Sequence, residues 1–180
     1  SASTNNCTAV SGTAVTLGDT NGVLSDTGPF VDKNAKYTIS TNALSGVAIR
    51  IKGTTLKTSA GCAEPPASNN CSIDAIGAVA ASSAAGTEQF GFCTYQSAGT
   101  GITPASPYNN ANCSTTTQTA GTGSTGGAGT AQFAFDNNST TGTTSTYGHT
   151  FANSVASTFS TGIIAFIGNI STITEPGIYT

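Results

Sequence analysis

The sequence predicts an all-β protein, a single Ig-like or jelly-roll β-sandwich of about 8–10 short strands with disulfide-linked loops. Three observations predict it. Thr, Val and Ile favour extended backbone while Gly and Asn favour turns, and the chain is rich in Thr, Ser and Asn, holds 22 Gly, and lacks Met and Trp. Short apolar alternations recur, and no segment sustains a helical period. Charged residues are only 7% of the chain but hydrophobic ones are 37%, and these cluster, so there is material for a core. At 180 residues the chain fits one domain, divided here into an N-terminal segment, 1–18, and a sandwich, 19–180.

Residues 8–18 (TAVSGTAVTLG) read as a strand carrying Val10, Val15 and Leu17 among small residues, with Gly12 as a bulge or close approach. Residues 19–22 turn, Val23-Leu24 form a short strand, and 25–29 turn again. Residues 36–42 (KYTISTN) and 47–52 (VAIRIK) alternate cleanly. Tyr37, Ile39, Val47, Ile49 and Ile51 face inward, and the pair reads as a hairpin. Residues 73–81 predict a strand and turn. Residues 86–95 (GTEQFGFCTY) predict a strand with Phe90 and Phe92 on one face. Residues 96–130 form a long Gly/Thr/Asn/Ser loop, of the kind that carries function or mobility. Residues 131–135 (AQFAF) predict a strand with Phe133 and Phe135 in phase. In 146–159 the spacing of Tyr147, Phe151, Val155 and Phe159 suits a helix, but the surrounding Thr, Asn and Ser favour strands and turns. The most apolar run follows, Ile163-Ile164-Ala165-Phe166-Ile167, then Ile170, Ile173 and Ile178 on a buried face and a last strand beginning at 178–180.

Five cysteines, Cys7, Cys62, Cys71, Cys93 and Cys113, form no C-x-x-C pair. With one histidine they make a poor zinc set. Cys62 and Cys71 bracket one loop and Cys93 and Cys113 another, which suggests two disulfides worth about 2–3 kcal/mol each; sequence alone leaves connectivity open. Disulfides imply an oxidising, extracytoplasmic compartment. Cys7 is then left as a free thiol or a link to another chain. The N-terminal Ser-Ala-Ser-Thr reads as a mature end after cleavage, and no segment approaches the ~20 apolar residues that span a membrane.

The sequence offers little for chemistry. His149 stands alone as a possible general base and reads as a turn histidine; no G-x-S-x-G elbow occurs. Residues 121–126 match G-x-G-x-x-G, but without the strand before and helix after that the phosphate mechanism needs. The eight acids, Asp19, Asp26, Asp32, Glu64, Asp74, Glu88, Asp136 and Glu175, are scattered and lack calcium-loop spacing. A glycosidase pair would require two of them together. Five basic residues exclude a nucleic-acid footprint. No enzyme activity and no cofactor are expected. Asn137, Asn138 and Asn169 head N-x-[ST] sequons, and Asn6, Asn70 and Asn112 each precede Cys-Ser/Thr; glycosylation there would hydrate a charge-poor coat.

KYTISTNALSGVAIRIK (36–52), GTEQFGF (86–92) and NISTITEPGIYT (169–180) together resemble a group of secreted bacterial β-sandwich surface proteins. More loosely, the chain is similar to spore-coat-U-like and chaperone–usher pilin domains. In that pattern the final strand continues past the Tyr-Thr at which this sequence stops. The resemblance covers about a third of the chain, describes strands and turns, brings no catalytic residues, and implies an extracellular structural subunit.

Two functions follow as expectations. The first is a filament subunit joined to copies of itself by donor-strand complementation: a sandwich lacking a strand exposes a groove and an unpaired edge, which a neighbour's strand fills. Val10, Val15 and Leu17 would donate, Ile178 would mark the acceptor groove, and Cys7 would lock the joint. A net charge of −3 is a small deterrent to self-association. The second is a monomeric lectin-like or adhesive domain that binds surface glycans through 96–130.

Overall fold

The computed structural model describes residues 15–58, 71–135, 148–174 and 179. The described residues are all-β, with eight strands: β1 (Phe30–Thr41), β2 (Val47–Ile51), β3 (Gly77–Ser82), β4 (Gln89–Ala98), β5 (Ile102–Pro104), β6 (Gln132–Phe135), β7 (His149–Ser154) and β8 (Ser157–Asn169). They form a five-stranded sheet, β1-β8-β4-β6-β3, and a three-stranded sheet, β2-β7-β5. All ladders are antiparallel. Rings from both sheets meet in the layer between them: Phe151 of β7 lies edge-on to Tyr37 of β1 at 5.4 Å and to Phe92 of β4 at 5.9 Å.

The long apolar run explains the middle of the larger sheet. β8 pairs with β1 on one side and β4 on the other, so it has no free edge. Ile164 and Phe166 pack into the layer between sheets, and Ala165 and Ile167 join a second core on the outer face. A strand buried on both faces reads as a continuous apolar run.

That second core exists because the 96–130 segment folds back on its own sheet. Its first part gives β5 to the smaller sheet and Tyr108 to the inner core; after the cis Ser106–Pro107 bond and a 3-10 turn at Cys113–Thr115 it buries Cys113, Thr116, Thr119, Ala120 and Ala128. A Cys93–Cys113 disulfide (Cα–Cα 5.9 Å) pins it to β4. Thr119 Oγ1 accepts from Val31 N–H at 2.7 Å, and Thr119 N–H donates to Val31 O at 2.9 Å. The predicted open loop is thus a packed flap, held by a side chain that replaces a missing strand partner.

The structure revises several further expectations. Residues 36–42 and 47–52 do not form a hairpin: β1 pairs with β8 in one sheet, β2 with β7 in the other. Both segments instead take longer-range partners in different sheets, and 42–46 crosses between the sheets with Gly46 at φ 68°. Residues 15–17 and Val23-Leu24 are irregular instead of extended strands. Leu17 and Leu24 pack over Gly168, where a Cβ would meet their side chains at 2.9 and 3.1 Å. Ile173 is exposed. Phe133 and Phe135 join different cores, beside a register shift on β3 between Gly77 and Ala81. β7 and β8 confirm strands over the helical spacing at 149–159.

Candidate functional site

The site is the side of the sandwich where both sheets end. β1 is an edge of the larger sheet and β2 of the smaller. Because the 42–46 segment crosses from one sheet to the other, the two edges are joined at one end as an arch. Two more crossings stand beside it. β7 passes to β8 through Val155-Ala156, and β4 to β5 through Gly99-Thr100-Gly101. Register ties the three together: Thr41 pairs with Ser157, Val47 with Ser154, Ser154 with Ile102, and Thr161 with Ala98. Leu44 (100% exposed), Val155 (62%) and Phe159 (76%) stand on or beside these crossings.

A bulge sets what the β1 edge presents. Asp32 pairs with Phe166 and Ala35 with Ile164, so β1 carries one residue more than β8 between them. Asp32 is buried and holds the extra residue in place. Its Oδ1 accepts Asn34 N–H at 2.7 Å, and its Oδ2 accepts Asn34 Nδ2–H and Thr16 N–H at 3.3 Å. One extra residue exchanges the two faces. Val31, before the bulge, faces the outer core; Tyr37, after it, faces the inner one. Gly162 lies opposite Tyr37, and its missing side chain admits the Tyr37 ring. Tyr37 Oη thereby reaches Thr94 Oγ1 on β4 at 3.1 Å. Burial holds this phenol above its ordinary range.

The outer edge of β1 is covered only in part. Flap residues bond Pro29, Val31 and Lys33. Among the described residues no strand pairs with the outer edge of β1 or of β2. Between those edges Tyr37, Ile39, Ile49 and Ile51 are only half-buried, although their alternation places them inward. Outside them Lys36, Arg50 and Lys52 are exposed.

No protein-family model, characterised protein or solved structure matches this chain. Its role rests on its own residues.

Of the residues singled out in the sequence, Val15 is 39% exposed, while Leu17 packs on the inner core of its own chain. Cys93 and Cys113 are paired as expected. Cys71 is also disulfide-bonded; Lys57 and Ser72 bridge the base of its loop. Cys7, Val10, Cys62, Asn137, Asn138 and Ile178 lie outside the described residues. Asn169 is fully buried and its amide donates to Ala84 O, so a glycan there would displace this packing. His149 is half-buried, with Nδ1 2.9 Å from Tyr108 Oη. Among the described residues no group of three or more His, Cys, Asp or Glu is placed to hold a metal, and no helix is long and apolar enough to cross a membrane. A groove of about 500 Å³ beside β3 is lined by Val79, Ser106, Pro107, Asn109, Asn110 and Gln132, amide-rich but without an aromatic ring for stacking on sugar. The arch and the bulge escaped sequence reasoning; the Asp-Lys-Asn at 32–34 was the available signal, an Asx turn inside an alternating strand.

Proposed function

We propose that this protein is a structural subunit of an extracellular filament, joined head to tail by strand addition. One observation carries the reading: the β1 and β2 edges lie side by side with half-buried Tyr37, Ile39, Ile49 and Ile51 between them. An added strand would satisfy the edge hydrogen bonds and cover those side chains. The segment preceding Thr16, with Val10 and Cys7, is the donor. Leu17, anchored on its own core, is the root of that segment. Such an interface is heterologous and propagates without closing. The charge-poor surface favours self-association. The position of Leu17 sharpens the test. A chain beginning at Val15 keeps the root and loses the donor, so it should fold with an unchanged far-ultraviolet spectrum and remain monomeric by light scattering. Filaments of normal length from that chain would overturn the proposal.

A further inference from the structure

The five basic residues, Lys33, Lys36, Arg50, Lys52 and Lys57, are unevenly placed. Lys36 is on β1, Arg50 on β2 and Lys52 one residue beyond it, all exposed on the arch edge. Lys33 turns to the flap, its Nζ donating to Thr116 O at 2.7 Å, and Lys57 sits at the Lys57–Ser72 bridge. The described acids lie elsewhere. Asp32 is buried in the bulge. Asp19, Asp26, Asp74 and Glu88 occupy connections at the end of the larger sheet where β4 starts and β8 finishes. Asp74 O accepts Phe90 N–H, Glu88 Oε1 accepts from Ser171 and Thr174 at the exit of β8, and Gly86 lies against the Asp26 backbone. The root of the N-terminal segment is at this same end, because Leu17 packs over Gly168.

We infer that the acidic end of one copy docks against the basic β1–β2 edge of the next, so that charge fixes the direction of growth. This rests on the strand-addition reading. A donor rooted beside Asp19 carries the acidic end with it to whichever edge it joins. Joining the edge flanked by Lys36, Arg50 and Lys52 sets opposite charges on facing surfaces, an attraction that salt screens over a Debye length of about 8 Å at physiological ionic strength. The occupant is thus a second copy of this chain, selected by charge complementarity. Like-charge contact opposes the reversed orientation.

The test is the rate of filament growth, followed by light scattering from monomer at low and high salt. The triple variant Lys36→Glu, Arg50→Glu, Lys52→Glu should grow about tenfold more slowly at low salt, and approach the wild-type rate when salt screens the charges. Adding Asp26→Lys and Asp74→Lys to the triple variant should restore growth at low salt. Lys36→Glu alone, at an exposed position, should show a smaller defect of the same sign and guards against misfolding of the triple variant. The inference is overturned if the charge variants grow at the wild-type rate with unchanged salt dependence. In that event failure of the chain beginning at Val15 would leave strand addition standing, whereas its normal growth would remove both.

Discussion

Asp74 is raised above the ordinary carboxylate range, first by burial and second by the negative charge of Glu88. Asp19 is lowered by the N–H groups of Val23 and Asn21. The two respond to pH in opposite senses. A raised carboxyl binds its proton more tightly in the folded chain than in the unfolded one. Its cost is therefore present above the folded pKa and relieved as pH falls through it. Asp74→Asn should raise Tm at pH 7 and leave it unchanged near pH ~3, with solvent screening keeping the gain below ~3 °C. Calorimetry at the two pH values checks this, and an equal gain at both would refute it. Single residues were unevenly legible. Phe90 and Phe92 read correctly from period two, since they share a face whatever the neighbouring strand. Asp32 did not, because its role depends on Asn34 and Thr16 being folded around it.

At the scale of elements, the crossings between sheets are where the chain is least tolerant. Gly46 has φ 68°, and a Cβ there would lie 1.9 Å from Ser154 O, on the crossing beside it. Gly46→Ala combines a left-handed backbone penalty with a clash against main chain. It should cost roughly 3 kcal/mol, or about 10 °C in Tm. Gly53→Ala is the control, since nothing lies within 4 Å of its added carbon. Equal melting of the two variants would show that the crossings are loosely packed. The strands on either side of Gly46 were legible as alternating segments, and their joining as a hairpin was not the outcome. Alternation reports which way side chains face; it carries no information about which strand lies alongside. Likewise the 96–130 segment lacks a period, yet it is built in by Thr119, Cys113 and Tyr108, whose partners in the larger sheet, Val31, Cys93 and Phe92, are more than ten residues distant in the chain.

For the whole molecule, protection from hydrogen exchange should fall from the centre of the larger sheet outward. β8 and β4 each have partners on both sides, while β1, β2, β3 and β5 are edges among the described strands. Backbone amides in β8 should exchange slowest, at rates set by global unfolding, and those of β2 and β5 fastest. Mass-spectrometric exchange on monomer measures the gradient, and uniform protection would contradict it. The all-β class was legible from composition and turn residues, and so were most strand positions. The candidate site was legible only in pieces. Tyr37, Ile39, Ile49 and Ile51 were expected to face inward, but their shared exposure at one side appears only when β1 and β2 fall in different sheets.

The place of β8 also constrains how the protein can be made. β8, residues 157–169, lies between β1 and β4, two strands that are complete by residue 98. Until the late segment arrives, β1 and β4 must wait a strand's width apart or pair wrongly with each other. Each would meanwhile present a bare edge and bare apolar faces to any other chain. The larger sheet thus forms by insertion at its middle, a slow, long-range closure. In the nascent protein the time of greatest exposure to wrong partners falls just before that closure.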